Sequence, residues 1–159
     1  MKPTYLFPHT YKRLGWFLLL PGLVLGIIYL TFEPEPAWLD WPVFALFDDP
    51  IIGNNGGYLK IVANNVFDEI TGLLLIIGAL LVAFSKEQFE DEFIARIRLE
   101  SLVWATYVNY FVLVLAILFV YGLPFFWVLV FNMFTMLFFF IIRFNWVLRR
   151  ARQLPSDEK

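Results

Sequence analysis

Four apolar segments, separated by polar and charged stretches, set the pattern of this chain. Crossing about 30 Å of hydrocarbon takes about 17–25 helical residues, and the first, third and fourth segments are long enough. The second reaches that length only if Asp68 and Glu69 lie at the membrane interface. Because the segments are apolar around their whole circumference, they are typical of helices embedded in lipid. We therefore predict an all-α integral membrane protein, a four-transmembrane-helix bundle in one domain. The spans are predicted at about residues 14–32, 66–84, 101–122 and 124–146.

The composition excludes most soluble folds. Of the 159 residues, 60% are hydrophobic, 20% are aromatic and 16% are charged, whereas ordinary globular chains have about 45–50% apolar and about 25% charged residues. A soluble domain of about 150 residues still exposes roughly a third of its unfolded surface to water. It could not bury this many apolar side chains, so the chain needs lipid as part of its solvent.

The connection between the first two spans, residues 33–65, is the longest. It opens with two Glu-Pro pairs, whose prolines end the first span, and continues with an aromatic segment at residues 37–47 that is too short to cross a membrane. Such a segment suits the headgroup level of a bilayer. We therefore predict a loop that hugs the outer membrane surface, with a tight turn at Asn54-Asn55-Gly56-Gly57.

The other connections are shorter and different in kind. Residues 85–100 place Phe89, Phe93 and Ile97 at a spacing of four beside charged residues, which predicts an amphipathic cytoplasmic helix leading into the third span. Opposite charges four residues apart, Glu92 and Arg96 among them, would support that helix. Only a few residues join the third and fourth spans, so these form an antiparallel hairpin. A cytoplasmic tail is expected at residues 147–159.

Lysine and arginine residues determine the predicted orientation. In a four-span arrangement eleven of the twelve fall on one side, and only Lys60 falls on the other. The positive-inside rule then places both termini and the middle loop in the cytoplasm. The eleven are Lys2, Lys12, Arg13, Lys86, Arg96, Arg98, Arg143, Arg149, Arg150, Arg152 and Lys159. A cleaved secretory signal is the alternative for the first segment. It fits less well, because the apolar run exceeds the usual core of about 7–15 residues and no small-residue cleavage site follows.

The sequence contains no catalytic or metal-binding constellation. Cysteine is absent and the single histidine, His9, precedes the first span, which excludes disulfides, thiolate metal sites and histidine clusters between spans. Neither a glycine-rich phosphate loop nor a G-x-S-x-G motif is present. The net charge of −2 also lacks the basic excess that nucleic-acid binding needs. We predict a non-enzymatic protein with no cofactor and no direct nucleic-acid partner.

Polar side chains within the last two spans form the first candidate site, because such residues are costly in hydrocarbon. Helical spacing puts three of them on one face of the third span and two on one face of the fourth, and antiparallel packing could join the two faces. The five are Thr106, Asn109, Tyr110, Asn132 and Arg143. This seam could line a path for a small ligand or ion. The alternative, which we favour, is interhelical hydrogen bonding worth about 0.6 kcal/mol on average.

The cytoplasmic side offers two more candidate surfaces. One is a cluster of both charge signs that could bind a soluble partner or could simply be a solvated helix face. It consists of Glu90, Asp91, Glu92, Arg96 and Arg98. The other is a basic cluster that would contact anionic lipid headgroups, at about 1 kcal/mol per residue. It consists of Arg149, Arg150 and Arg152.

Two pairs of residues allow a structural and a functional interpretation. Gly22 and Gly26 form a G-x-x-x-G pattern, which permits close approach of a helix from the same chain or from a second copy. Asp68 and Glu69 could bind an outer cation, or one of them could pair with Lys60. We favour the simpler interpretation of the two acids, in which they complement the dipole at the N-terminus of the second helix.

Several stretches carry a family resemblance. They are residues 6–9 (LFPH) with 11–16 (YKRLGW), 65–70 (NVFDEI) with 83–87 (AFSKE), and 90–94 (EDEFI) with 98–101 (RLES). Together they resemble a group of uncharacterised small four-span bacterial inner-membrane proteins, often encoded beside a helix-turn-helix regulator. The resemblance implies an inner-membrane location and a regulatory pairing, and it assigns no role to any residue.

These observations lead us to expect a sensory or regulatory accessory protein whose cytoplasmic surface binds a regulator protein. A small transporter, channel or immunity protein working through Asn109 and Asn132 is one alternative. A structural subunit of a larger membrane complex is another. The lipid bilayer is an expected partner in each case, and a homo-oligomer is left open.

Overall fold

Four long helices dominate the computed structural model, which describes residues 5–48 and 57–153. Each of the four is long and apolar enough to cross a membrane, which confirms the predicted helical architecture. They are α1 (Thr10–Phe32), α2 (Phe67–Phe84), α3 (Glu92–Phe119) and α4 (Leu123–Gln153). The predicted turn at residues 54–57 lies outside the described residues except for Gly57, as do Lys2 and Lys159.

The last two helices extend beyond the predicted spans at their polar ends. The predicted cytoplasmic helix is continuous with the third span, and it begins at Glu92 rather than at residue 85. The Asp91 carboxylate sets this start, because it accepts a hydrogen bond of 2.8 Å from the Ile94 N–H and so caps the helix. Residues 147–153 continue α4 instead of forming a tail. Arg150 and Arg152 lie in its last turn, where positive charge complements the helix dipole.

The predicted apolar stripe of the cytoplasmic helix is wrong for Phe89, whereas Phe93 and Ile97 both lie on α3 at the predicted spacing of four. Ile97 is buried, but Phe89 and Phe93 are exposed, and Ile94 packs inward instead. Because residues before 92 are not helical, Phe89 does not share a helical face with the others. The predicted pairing of Glu92 with Arg96 is replaced by a pairing of Arg96 with Glu100.

Arg96 and Glu100 lie one turn apart on α3. The Arg96 Nε donates to Glu100 Oε1 at 3.0 Å, and both side chains are largely exposed. This is an i,i+4 pair, and exposed pairs of this kind contribute little to stability.

The long connection between α1 and α2 contains an antiparallel β-hairpin, which the sequence analysis did not predict. A short 3₁₀ helix (Ala37–Leu39) leads into β1 (Asp40–Asp48), and β1 pairs with β2 (Gly57–Asn65). Its base is tied to the helix ends, since the Val66 N–H donates to the Leu39 carbonyl at 3.1 Å. The strands were missed because a half-buried strand is recognised by alternation of apolar and polar residues, and β1 is apolar at seven consecutive positions, 41–47.

Glycines bring α1 and α2 into close contact. A Cβ added at Gly15 would lie 2.8 Å from the Val82 nitrogen, and one added at Gly78 would lie 2.6 Å from the Leu19 nitrogen. Such distances leave no room for a side chain, so the two backbones touch through their glycines. α1 and α2 therefore form one helical hairpin, and α3 and α4 form a second.

The two helical hairpins meet where α2 contacts α4, and the buried core lies at one end of this seam. The rings of Phe84 and Phe140 stack with centroids 5.7 Å apart, and Phe140 stacks in the same way on Phe144. We call this end, where α1 and α3 begin and α2 and α4 end, the basic end. The opposite end, which carries β1 and β2, is the hairpin end.

Candidate functional site

Arg98 lies at the centre of a buried ion-pair cluster at the basic end. Its guanidinium donates to both Glu90 carboxylate oxygens, at 3.1 and 3.0 Å, and to the carbonyls of Ala83 and Ser85, at 3.0 and 3.2 Å. It also stacks 4.7 Å from the centroid of the Phe144 ring. Arg98 is only 8% exposed, and a buried charge of this kind is tolerated only when it is paired and hydrogen-bonded.

Glu87 forms the second half of the cluster. Its carboxylate is an ion-pair partner of Lys12 and also accepts a hydrogen bond from Arg152 Nη2 at 3.4 Å. Lys12 belongs to α1, Glu87 to the connection between α2 and α3, and Arg152 to the last turn of α4. The cluster therefore joins parts of the chain that belong to both helical hairpins.

A short N-terminal strap covers the same end. The Phe7 N–H donates to the Phe84 carbonyl and the Lys86 N–H donates to the Phe7 carbonyl, each at 2.9 Å. His9 Nδ1 lies 3.0 Å from the Lys86 carbonyl oxygen. The residues before α1 are thus held against the connection that follows α2, and the basic end is closed by polar contacts.

Most residues of the predicted docking cluster therefore bind other groups of the same chain. Glu90 and Arg98 pair with each other, Asp91 caps α3, and Arg96 pairs with Glu100. Arg96 and Glu92 remain exposed. The sequence could not distinguish Arg96 from Arg98, because the face that α3 buries depends on where the helix begins and on what α4 presents to it.

The basic residues near the end of α4 divide in a similar way. Arg149 and Arg150 are exposed and available to solvent or to headgroups, whereas Arg152 also reaches Glu87. The predicted headgroup contacts of these residues stay a prediction.

Only two residues of the predicted polar seam meet. Asn132 Nδ2 donates to Asn109 Oδ1 at 3.1 Å across the α3–α4 contact. Thr106 bonds back to the Leu102 carbonyl of its own helix, as Thr does in helices. Tyr110 is exposed.

Arg143 does not join the two asparagines either. Its guanidinium lies 4.8 Å from the Trp104 ring centroid, a cation–π contact. The seam is thus one interhelical hydrogen bond rather than a lined path.

We predict that this hydrogen bond has a modest effect on stability and that breaking one side of it costs more than removing both. Asn109 is 4% exposed, so Asn132→Leu leaves a buried amide without its partner and should cost about 1–3 kcal/mol. The double variant Asn109→Leu, Asn132→Leu should lose less than the sum of the single variants. Reversible unfolding in detergent measures the unfolding free energies of the parent, the two single variants and the double variant. Strictly additive losses of unfolding free energy would contradict a direct bond.

The G-x-x-x-G pattern of α1 faces α2 in the same chain. A Cβ at Gly22 would lie 3.1–3.3 Å from atoms of Leu74 and Leu75, and one at Gly26 would lie 3.6 Å from Leu75 Cδ1. The pattern therefore serves intramolecular packing, and the second-copy alternative gains no support from it. Gly15 and Gly78, which make the tightest contacts, were missed because single glycines are common in membrane helices.

Towards the hairpin end a groove of about 470 Å³ lies between α4 and the pair formed by α1 and α2. One wall is aromatic and comes from α4, with Trp127, Phe131 and Phe134 among its residues. The other wall comes from α1 and α2. Gly72 belongs to that wall, and a Cβ placed on it would meet nothing within 4 Å. The groove is nearly all apolar, and its volume is in the range of about 300–1,000 Å³ that ligand pockets have.

Asp68 lines the groove at its hairpin end. It lies with Glu69 in the first turn of α2, as the favoured helix-dipole interpretation of these two acids expects. Glu69 Oε1 accepts a hydrogen bond of 2.6 Å from Asn64 Nδ2, so this acid also ties α2 to β2.

Comparison with known proteins adds no relative from which a function could be transferred. No family model matches the chain, and no similar protein is found among curated sequences or solved structures. Two features of the molecule itself bear on its function. They are the closed basic end with its exposed side chains and the groove near the hairpin end.

Proposed function

We propose that the chain is a multi-pass protein of a bacterial inner membrane with both termini in the cytoplasm. Four helices of sufficient length and apolarity support insertion. The charge distribution supports the orientation: among the described residues, Lys60 is the one lysine or arginine in the segment between α1 and α2, and the others lie in or beside the parts that form the basic end or in α4. The positive-inside rule assigns such an end to the cytoplasm.

In this orientation the β-hairpin lies along the outer membrane surface. Directly opposite residues of an antiparallel pair share a face, and the register pairs Pro42 with Ala63 and Phe44 with Ile61. Between the Asp40–Asn65 and Asp48–Gly57 pairs at its two ends, that face is apolar, and Phe44 and Ile61 are exposed. The other face carries Lys60 and Tyr58 beside apolar residues. This sidedness supports a ribbon with its apolar face on lipid and its more polar face in water.

Because the chain has no cysteine, single-cysteine variants test this arrangement directly. Tyr58→Cys and Ile61→Cys replace side chains of similar exposure in the protein, 77% and 73%, on opposite faces of the hairpin. A membrane-impermeant maleimide added to intact spheroplasts should label Tyr58→Cys quickly and Ile61→Cys several-fold more slowly. Arg96→Cys should react only after permeabilisation. Equal rates at the two hairpin positions, or labelling of Arg96→Cys from outside, would contradict the arrangement.

We further propose that the protein is a non-enzymatic regulatory accessory protein that binds a cytoplasmic regulator at its basic end. The observation that carries this proposal is the pair of exposed aromatic side chains there: Phe89 is 77% and Phe93 is 58% exposed. Phe93 precedes Arg96 of the exposed Arg96–Glu100 pair by three residues on α3. Phe89 lies in the chain between Glu87 and Glu90, two acids of the buried cluster. Aromatic residues and arginine are the side chains that dominate binding energies at protein interfaces.

Purification in mild detergent tests the docking surface. We expect a cytoplasmic protein to copurify in a fixed ratio with the parent chain and with Phe89→Leu, Phe93→Leu, which keeps the surface apolar. Phe89→Ser, Phe93→Ser should reduce its recovery more than about tenfold, since losing an interface aromatic anchor costs about 2 kcal/mol or more. Unchanged recovery from the serine variant would contradict the proposal. A stoichiometric complex of integral membrane subunits would favour the structural-subunit alternative instead.

A further inference from the structure

From the groove we propose a ligand that the docking surface does not imply: an amphiphile with one long alkyl chain and an ammonium headgroup. The groove is lined by α1, α2 and α4, three helices long enough to span a membrane, and it lies towards the hairpin end. In the proposed membrane arrangement it is at the depth of the lipid chains, where an alkyl chain reaches it without crossing water. The inference is independent of any protein partner at the basic end.

The interior of the groove selects for a chain without polar groups. Its two hydroxyl groups are already used within their own helices, because Thr71 donates to the Phe67 carbonyl and Thr135 to the Phe131 carbonyl, each at 2.8 Å. The rest of the lining is aromatic and aliphatic. Burial of an alkyl chain against such walls is favourable by the hydrophobic effect and by dispersion contacts.

The hairpin end of the groove selects for positive charge in the headgroup. Asp68 belongs to the lining, and the neighbouring parts of the chain add further carboxylates. Between the end of α1 and the first turn of α2, the described acidic residues exceed the single lysine in number. They are Glu33, Glu35, Asp40, Asp68 and Glu69. An ammonium group is attracted to this field and a sulfate or phosphate monoester is repelled by it.

A single-tryptophan variant makes binding visible. In nanodiscs of a neutral phosphatidylcholine, Trp127 is kept as the only tryptophan and the others are replaced by phenylalanine. A brominated alkyltrimethylammonium is the probe, and a brominated alkyl sulfate of equal chain length is its control. We expect the ammonium probe to quench Trp127 at about two- to fivefold lower concentration than the sulfate, the range of a partly exposed charge contact.

Two substitutions separate the chain from the headgroup. Gly72→Leu fills the groove and should abolish saturable quenching by both probes, whereas Val24→Phe enlarges an exposed position of α1 and should change nothing. Asp68→Asn should keep the quenching and remove the preference for the ammonium. Val130→Phe is a second filling variant on α4 in case Gly72→Leu does not fold.

The result also identifies the source of the ligand. An alkyltrimethylammonium without bromine should relieve the quenching, whereas replacing part of the phosphatidylcholine with phosphatidylethanolamine, which has two chains and a phosphodiester, should not; relief by phosphatidylethanolamine would contradict a free single-chain amphiphile as the ligand. Saturable quenching that persists in both filling variants, or that favours the sulfate, would overturn the proposal. A failure of the copurification experiment would leave this result unaffected, because the two sites lie at opposite ends of the bundle.

Discussion

Replacing Arg98 with methionine should cost about 3–5 kcal/mol of unfolding free energy, the usual loss when one partner of a buried ion pair is removed. The change deletes four hydrogen bonds and leaves the Glu90 carboxylate, only 13% exposed, without its cation. It also leaves the Ala83 and Ser85 carbonyls, at the end of α2, without this hydrogen-bond donor. Reversible unfolding in mixed micelles measures the loss, and a lower transition temperature should accompany it.

Arg96→Met is the matched control for Arg98→Met. It lies two residues earlier on the same helix and removes an exposed pair with Glu100, which should cost about 0.3–0.5 kcal/mol. The double variant Glu90→Gln, Arg98→Met should recover about 0.5–3 kcal/mol relative to the sum of the single losses, since the two residues interact directly. If Arg96→Met and Arg98→Met had equal effects, the cluster would not hold the helical hairpins together.

Gly78→Ala should destabilise the α1–α2 hairpin although it adds a single methyl group to a helix. The added Cβ would lie 2.6 Å from the Leu19 nitrogen and 2.8 Å from its Cα. These are backbone atoms, so the whole of α1 must move away. We expect a loss of about 1–3 kcal/mol, the usual cost of overpacking, and it should be measurable in the same unfolding assay.

Gly72→Ala, the same substitution six residues earlier, should either stabilise the protein or leave its stability unchanged. A Cβ at Gly72 meets nothing within 4 Å, and alanine favours helix over glycine by about 1 kcal/mol in water. Gly72→Ala should therefore be neutral or slightly stabilising. A gain at both positions would indicate that helix propensity rather than contact between α1 and α2 determines the outcome, and a loss at Gly72 would contradict the open space around it.

The sequence was sufficient to predict the four helices and the contact between the two asparagines, because both depend on simple periodicities. Asn109 and Asn132 were expected to meet from helical spacing and antiparallel packing alone, and they do so at 3.1 Å. The other three residues of the predicted seam do not join this contact, for local reasons. Thr106 bonds within its own helix and Tyr110 is exposed. Arg143 makes a cation–π contact with Trp104.

The buried cluster and the β-hairpin could not be predicted in the same way. Lys12 and Glu87 are 75 residues apart, and nothing in local spacing relates them. The strands are apolar on so many positions that alternation gives no signal. The groove lies between α4 and the pair formed by α1 and α2, so it depends on how two helical hairpins pack and not on any motif.

The two ion pairs of Glu87 also determine when the buried cluster can be completed during biosynthesis. Lys12 precedes Glu87 by 75 residues and Arg152 follows it by 65, so the site is complete only when the final turn of α4 has been translated. The glycine-packed pair of helices needs only the first half of the chain and can assemble on the ribosome beforehand, since chains fold from their N-terminal parts during synthesis. A chain that stops early would also lack the Phe144 ring against which Arg98 stacks. Such a chain would expose the Arg98 guanidinium, which the finished protein buries.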